Sequence, residues 1–264
     1  MKNNSEDRRN SENRKKPKTL LKKIWYFLWH EDSIWSWIAN IIIAIVLIKF
    51  VLFPLLGLIF STSHPIVAVV SGSMEHKITG CGICGQFPEH KANLEENFDE
   101  YWRLCGGWYE KRNISKEKFN SFIFTNGFNK GDIMFVHGKK PKDINIGDIL
   151  IFQTKSRPDP IIHRVVNKWQ DKNGKFHFQT KGDHNSDSNQ LYGIIQNNMI
   201  IQTSKDTPGA IKFIDETDIT EDQITDYKLG TASFRIPYVG YVKIGAVNFI
   251  CLFGDYGFCQ KSTC

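Results

Sequence analysis

The fold is decided by residues 159–183, which read DPIIHRVVNKWQDKNGKFHFQTKGD. Two short runs within this stretch, 159–169 and 175–183, are rich in Val, Ile and Phe, a composition typical of strands. The tetrapeptide DKNG at 171–174 lies between them, and Asn-Gly supplies the positive φ angles that a tight hairpin requires. The stretch therefore predicts an antiparallel hairpin.

Runs of the same composition recur outside this hairpin, each bounded by Gly, Pro, Asp or Asn. They are residues 65–71, 131–138, 147–154 and 234–244. Short strands separated by turn residues predict a mainly β domain of the sandwich or barrel type. Residues 77–128 differ, because charged and apolar residues there follow helical spacing, with Gly106-Gly107 as a helix stop. We therefore expect a small helical insertion in the β-domain.

A long apolar segment precedes this domain. Residues 34–61 carry a single charge, Lys49, and exceed the roughly 20 residues that a helix needs to cross a bilayer. A secretory signal peptide would have a shorter apolar core and a small-residue cleavage site, which is missing. We predict one transmembrane helix. Residues 19–33, at the end of the tail 1–33, either lie along the membrane surface or continue the helix inward.

The charge distribution predicts an orientation. The first 23 residues hold nine Lys or Arg and three acidic residues, whereas the rest of the chain is balanced. By the positive-inside rule, the N-terminus is cytoplasmic and residues 62–264 form an extracytoplasmic domain on a single-pass protein of the cell membrane. A nucleic-acid-binding domain would carry its basic charge on the folded part, so we expect membrane lipid and not nucleic acid as the partner of the tail.

A set of candidate catalytic residues is spread along the predicted domain. A serine hydroxyl is a poor nucleophile unless a neighbouring base accepts its proton, and an acid usually orients that base. Ser73 lies in VVSGSMEH, His163 in IIHRVV, and Asp183 and Asp187 in TKGDHNSDSNQ. Taken singly, each is an ordinary turn or strand residue. Taken together, they form a candidate Ser/His/Asp set.

The motif order strengthens this interpretation. SGSM, GDI, a second GDI, HRVV, TKGD and RIPYVGYV follow one N-terminal span, and this order resembles type I signal peptidases of the archaeal and endoplasmic-reticulum branch. The resemblance covers about residues 35–76 and 129–244. It implies a membrane-bound serine endopeptidase that removes signal peptides from secreted preproteins and needs no metal or cofactor. Implied partners are signal-peptide-bearing preproteins and accessory membrane subunits or a secretion channel.

The resemblance also assigns roles to residues. It makes Ser73 the nucleophile and His163 the general base, at a position where bacterial members have lysine. The Ser71 hydroxyl and the Ser73 backbone N–H would form the oxyanion hole. The edge strand 67–70 would bind the substrate by strand addition. The implied substrate contacts are Val67, Val69, Val70 and Met74.

The orienting acid is where this chain departs from the family. The branch commonly pairs its histidine with an Asp about six positions after the Asp of KGD, and here Asn189 stands at that place. We expect Asp187, the nearest second acid, or otherwise Asp183 to orient His163. A neutral Asn189 would hold the imidazole orientation but stabilise an imidazolium less well.

Six cysteines follow the predicted span, three in the insertion and three near the end. They are Cys81, Cys84, Cys105, Cys251, Cys259 and Cys264. An even number on an oxidising side predicts disulfides. The alternative is a structural zinc site built from CGIC, Cys105 and His90. The insertion itself is expected to form a cap or partner surface beside the cleft.

Two further functions stay open from the sequence. One is a membrane-tethered serine peptidase of the same fold with a different substrate. The other is a non-enzymatic surface-binding module carried on a membrane stalk. The presence of Ser73, His163 and nearby acids argues against the binding module, because a lapsed enzyme often loses at least one such residue.

Overall fold

The computed structural model describes residues 20–31, 33–80, 82–89, 91–154, 159–196 and 199–250. The chain forms two compact units that divide between Leu55 and Leu56. The predictions made for Cys81, His90, Cys251, Cys259 and Cys264, and for the basic tail before residue 20, lie outside the described residues.

The first unit begins with two separate helices, α1 (Leu20–His30) and α2 (Ile34–Leu47). Ser33 caps the second helix, because its hydroxyl accepts a hydrogen bond from the Ser36 N–H at 3.2 Å. The Ser36 hydroxyl in turn donates to the Phe27 carbonyl of α1 at 2.6 Å. The alternative that residues 19–33 continue the long helix inward is therefore wrong.

A π-helical segment, Ile48–Leu52, joins α2 to α3 (Phe53–Phe60). Proline lacks the N–H that a helical carbonyl one turn earlier needs, and π turns are a common adjustment near such positions. Pro54 lies two residues after this segment. Together these elements make Ile34–Phe60, with a mean hydropathy of 2.9, the one helix among the described residues that is long and apolar enough to cross a membrane.

The second unit is built on a seven-stranded antiparallel sheet, which confirms a mainly β fold. Its strand order is β1-β4-β12-β5-β6-β7-β11. The strands are β1 (Ile66–Ala68), β4 (Ile133–Gly138), β5 (Ile149–Phe152), β6 (Ile161–Gln170), β7 (Phe176–Lys181), β11 (Ile219–Thr220) and β12 (Gly230–Ile236). Since β1 lies at the edge, one side of its backbone is free of a strand partner within the described sheet.

The two GDI motifs form the same turn before β4 and β5. Asp132 accepts the Asn129 N–H at 2.9 Å, and Asp148 accepts the Asn145 N–H at 2.9 Å. The glycine of each motif has a positive φ, 91° and 98°, which a side chain would strain. The repeated Asn-x-Gly-Asp sequence therefore sets the start of both strands.

The hairpin predicted from 159–183 is present as β6 and β7. Gly174 has a φ of 80°, and the Asp171 carboxylate accepts the Asn173 and Lys175 N–H groups at 2.8 Å each. The strand predicted over 234–244 is wrong beyond Ile236. Pro237 cannot donate to a ladder, and the chain turns there into α7 (Tyr241–Ile250), which follows the short helix α6 (Asp222–Thr225) and β12 along the chain.

A three-stranded sheet that the sequence patterns did not predict follows β7. It has the order β10-β8-β9. The strands are β8 (Gln190–Gln196), β9 (Met199–Thr203) and β10 (Ile211–Asp215). Their importance is positional, because Asn189 immediately precedes β8 and Glu216 immediately follows β10.

The predicted helical insertion contains α4 (Phe98–Glu110), α5 (Lys116–Asn120) and a small sheet of β2 (Lys77–Ile78) and β3 (Ala92–Asn93). The helix stop predicted at Gly106-Gly107 is wrong. A Cβ at Gly106 would lie 2.6 Å from the Trp102 ring, so this glycine lets an indole pack across the helix.

The period of two along β6 divides the interior into two cores. Val165 belongs to the main core of the sheet, whereas Val166 belongs to the core of the insertion. Their predecessors follow the same alternation: His163 faces Ser73, and Arg164 faces the insertion, 4.7 Å from the Phe119 ring centroid. One strand thus supplies two neighbouring polar side chains to two different environments.

Candidate active site

Ser73 and His163 meet although 90 residues separate them in sequence. Ser73 lies in the turn after β1, and His163 lies on β6. The Ser73 Oγ is 2.8 Å from the His163 Nε2. Ser73 is half-buried, while His163 is 4% exposed, so the imidazole is held by the protein and the hydroxyl stays accessible.

The other imidazole nitrogen contacts a residue that the sequence analysis missed. His163 Nδ1 is 2.9 Å from Glu216 Oε2. An ionised carboxylate only accepts hydrogen bonds, so this contact places the proton on Nδ1. In the neutral imidazole Nε2 is then the nitrogen without a proton, and it faces the Ser73 hydroxyl. This is the tautomer that accepts a proton from a serine.

Glu216 is fully buried and is held from both sides. Its Oε1 accepts the Asn189 Nδ2–H at 3.0 Å, and its Oε2 lies 3.5 Å from the Thr180 hydroxyl. Its backbone is fixed by the same neighbours, since the Glu216 N–H donates to the Asn189 carbonyl and the Thr180 N–H donates to the Glu216 carbonyl, both at 2.8 Å. The carboxylate position is therefore set by β7 and by the start of β8.

Asp183 occupies a different environment. It is fully buried and accepts from Arg164 Nη2 at 2.6 Å, from Tyr109 Oη at 3.0 Å and from His76 Nε2 at 3.2 Å. Burial alone would raise the pKa of Asp183, but the Arg164 charge and the hydrogen bonds from His76 and Arg164 outweigh burial and hold it well below its usual range. Asp183 is the centre of a structural ion-pair network.

Asp187 lies further out. Its side chain is 65% exposed and accepts from Trp108 Nε1 at 2.9 Å, with Arg112 at 3.7 Å. The structure thus brings neither predicted acid to His163. The expectation that Asp187 or Asp183 orients His163 is therefore corrected. Asp183 pairs with Arg164, and Asp187 binds Trp108 of the insertion. Glu216 is the carboxylate beside the imidazole.

The surroundings of Ser73 are close-packed. The Ser71 hydroxyl is 3.1 Å from the Ser73 hydroxyl. The Ser73 carbonyl accepts the His184 N–H at 2.9 Å, which ties the turn to the loop after β7. A Cβ at Gly182 would lie 2.6 Å from the Ser73 carbonyl oxygen and 2.9 Å from His163 Nε2, so only glycine fits beneath the pair.

The predicted substrate contacts divide into two groups. Val69 and Met74 are core side chains, 2% and 1% exposed, so their side chains are not available at the surface. Val67 is half-buried on β1, and Val70 is 49% exposed just beyond it. The burial corrects the expectation for Val69 and Met74 and leaves Val67 and Val70 as the candidates.

The insertion is closed by a disulfide between Cys84 and Cys105. This bond consumes two of the thiols of the alternative zinc site. Among the described residues, no group of three or more His, Cys, Asp or Glu side chains is arranged to hold a metal ion. The Cys84 N–H also donates to the His184 carbonyl at 2.8 Å, so the disulfide-closed insertion contacts the loop that supports Ser73.

Sequence comparison finds similar proteins among signal peptidase catalytic subunits. No protein-family model matches the chain. The signal peptidase complex catalytic subunit SEC11 of Eremothecium gossypii is 36% identical over 86 residues, 32% of this chain and 50% of the relative. Human SEC11C, also named as a catalytic subunit of that complex, is 30% identical over 118 residues, 44% and 49% of the two chains. SEC11 of Plasmodium falciparum is 36% identical over 67 residues, which are 25% of this chain and 35% of the relative.

The chain spans about half the length of the first two relatives. Its site combines a serine hydroxyl, an imidazole in the accepting tautomer and a buried carboxylate. Over these matched segments, the chain is similar in sequence to proteins named as catalytic subunits of signal peptidase complexes.

Proposed function

We propose that the protein is a membrane-bound serine endopeptidase that removes signal peptides from secreted preproteins on the outer face of the membrane. The observation that carries the proposal is the 2.8 Å contact between Ser73 Oγ and His163 Nε2, in a homologue of signal peptidase catalytic subunits. A serine with an unprotonated imidazole nitrogen at hydrogen-bond distance is an activated nucleophile.

The reaction follows from this geometry. Ser73 Oγ attacks the carbonyl carbon of the scissile peptide bond while His163 Nε2 accepts the hydroxyl proton. The resulting imidazolium donates that proton to the leaving amine, and the C–N bond breaks to leave an acyl-enzyme. A water molecule then attacks the ester, His163 accepts its proton and returns it to Ser73, and the free carboxyl product departs.

Two neighbouring features support the transition state and the substrate. The Ser71 hydroxyl, 3.1 Å from Ser73 Oγ, would donate to the developing oxyanion together with the Ser73 backbone N–H. The edge strand β1 would pair with an extended substrate segment by strand addition, with Val67 and Val70 beside it.

The N-terminal helix supports the location. Ile34–Phe60 would anchor the enzyme in the membrane with a cytoplasmic N-terminus, so that substrate and enzyme meet in the plane of the bilayer. The relatives are named as subunits of a complex, and we propose that accessory membrane subunits also accompany this chain.

Cleavage of a labelled secretory preprotein by the full-length protein, solubilised in detergent from its own membrane together with any accessory subunits, tests the proposal. The expected result is one cut at the end of the signal peptide by the wild type and no cut by Ser73→Ala or His163→Ala. Asp187→Asn is the matched control variant, because it removes an exposed carboxylate that lies outside the hydrogen-bond chain of the site. It should cleave like the wild type.

An uncut preprotein with the wild type, or equal cleavage by Ser73→Ala, would contradict the proposal. Cleavage that depends on Ser73 but falls outside the signal-peptide junction would instead indicate a peptidase of the same fold with a different substrate.

A further inference from the structure

We propose that Glu216, held in place by Asn189, is the positioning residue that orients His163 and stabilises its imidazolium. This inference rests on the proposed function. It assigns the role to a residue 33 positions after the Asp of KGD in the sequence, delivered by the three-stranded sheet. The resemblance to signal peptidases implies an acid at position 189, where this chain has an asparagine. The carboxylate that hydrogen-bonds to His163 comes instead from Glu216, just after β10.

The geometry supports a direct role through the imidazole. Glu216 Oε2 lies 2.9 Å from His163 Nδ1, and His163 Nε2 lies 2.8 Å from Ser73 Oγ. The three side chains therefore form one continuous hydrogen-bond chain from a buried carboxylate to a half-exposed hydroxyl. When His163 accepts the serine proton, the new positive charge forms next to Glu216.

The environment of Glu216 favours this use of its charge. Asn189 and Thr180, its two other side-chain partners among the described residues, are neutral donors. Lys181 interacts electrostatically with Glu216, but the two side chains do not form a hydrogen bond. The Lys181 ammonium group donates to the Gly182 carbonyl at 3.0 Å. Within the described part of the chain, the imidazolium is therefore the one charged group that Glu216 contacts directly.

Asn189 completes the arrangement. Its Nδ2–H donates to Glu216 Oε1 at 3.0 Å, and its carbonyl accepts the Glu216 N–H. An amide at this position can donate to the carboxylate, whereas an acid would repel it. Asn189 and Glu216 thus fit each other as a pair.

Three full-length variants separate charge from shape. Glu216→Gln keeps the shape and removes the charge, and we expect kcat to fall by about 10²- to 10⁴-fold with KM little changed. Glu216→Asp keeps the charge on a shorter side chain and should lie between Glu216→Gln and the wild type. Asn189→Asp in the Glu216→Gln background restores a carboxylate to the network and should recover part of kcat.

The second readout needs no substrate. A histidine N–H that donates to a carboxylate gives a proton NMR resonance at unusually low field. We expect an assigned His163 Nδ1–H resonance of this kind in the wild type and in Ser73→Ala, and its loss in Glu216→Gln and His163→Ala. Signals from the His76–Asp183 and His177–Asp218 pairs should stay in all four proteins. Because the resonance is independent of peptidase activity, it tests Glu216 even if the preprotein assay fails, and that failure would concern the proposed function alone.

The outcomes are separable. A wild-type kcat in Glu216→Gln, a higher kcat in Glu216→Gln than in Glu216→Asp, or a low-field resonance assigned to His163 Nδ1–H that survives in Glu216→Gln would each overturn the role of Glu216. A double variant no faster than Glu216→Gln would overturn the assignment of Asn189 as its partner. Asp187→Asn is the matched control, since it removes a nearby exposed carboxylate and should leave kcat unchanged.

Discussion

Among the described residues, the second unit contains two buried histidine–carboxylate pairs, His163–Glu216 and His76–Asp183. In both pairs the histidine and the carboxylate are buried and hydrogen-bonded, at 2.9 Å and 3.2 Å. By residue type and burial alone, either pair could belong to a catalytic site.

What distinguishes them is the other contacts of each residue. Asp183 is paired with Arg164, and the far nitrogen of His76 has no hydrogen-bond partner among the described residues. Burial lowers the pKa of His76, although its hydrogen bond to Asp183 opposes this effect. His163, by contrast, has a serine hydroxyl on its far nitrogen. A neutral His76 packs flat against Tyr101, with ring centroids 3.5 Å apart, as a core residue would.

The comparison indicates that the presence of a guanidinium partner distinguishes Asp183 from Glu216. Arg164 balances the charge of Asp183, so that this carboxylate is less able to stabilise an imidazolium, and removing either partner alone would leave an uncompensated buried charge. Glu216, bound by neutral donors, keeps its charge for His163.

Replacing the two histidines should give the largest difference. We expect His163→Gln to lower kcat by about 10³- to 10⁴-fold, because the base that accepts the serine proton is lost. His76→Gln should keep kcat within about tenfold of the wild type, a barrier change of about 1.4 kcal/mol, since its contacts are structural. Preprotein cleavage rates of the two variants check the prediction, and equal losses would remove the distinction between the pairs.

The carboxylate of the second pair should affect stability. Asp183→Asn leaves Arg164 buried without its anion, and we expect a loss of about 3 to 5 kcal/mol in the free energy of unfolding. Chemical denaturation of the full chain in detergent measures it. Arg164→Met combined with Asp183→Asn should recover part of the loss. A double variant no more stable than Asp183→Asn would show that the ion pair is not the source of the effect.

The first pair also depends on the glycine beneath it. Gly182→Ala would place a Cβ 2.6 Å from the Ser73 carbonyl and displace the serine from His163, and we expect kcat to fall by about 100-fold. Gly107→Ala is the control, because a Cβ there meets nothing within 4 Å. Comparable kcat values for the two variants would argue against a close-packed site.

The smallest effect concerns Lys181, whose charge acts on both carboxylates. Burial lowers its pKa from 10.5 to about 8, against the attraction of Asp183. Between those values the unfolded chain binds more protons than the folded chain, so stability rises with pH, by at most about 1.4 kcal/mol per pH unit. Unfolding at pH 8 and pH 10 should show this rise in the wild type and less of it in Lys181→Met. An identical change of stability with pH in the wild type and in Lys181→Met would contradict this assignment to Lys181.

Much of the sheet could be predicted from local sequence. The Asn-Gly turn between β6 and β7 and the repeated Gly-Asp-Ile turns before β4 and β5 are set by residues within a few positions of each other. The three-stranded sheet was missed, and so was the change from strand to helix after Pro237. Those elements depend on packing that local composition does not encode.

The candidate site likewise contains residues that local sequence predicts and one that it does not. Ser73 and His163 lie in short recognisable motifs, and the structure brings them together. The acid could not be chosen by distance along the chain, because Glu216 lies 53 residues from His163 and reaches it through a sheet that the sequence did not predict. The one available signal was Asn189, since an amide at the position of an expected acid suggests that the acid comes from elsewhere.

The two ends of the insertion lie close together, and this affects how the chain folds. The Phe128 N–H donates to the Met74 carbonyl at 3.1 Å, so the insertion leaves and rejoins the β-domain at nearly one point. Once α4 and α5 of the insertion have packed together, the chain between Ser73 and β4 is effectively shortened, which reduces the entropic cost of closing that loop. Arg164 and Asp183 are fully buried, and they contact Phe119 and Tyr109 of the insertion. We therefore expect their desolvation to be a late event in folding, after the sheet itself has formed.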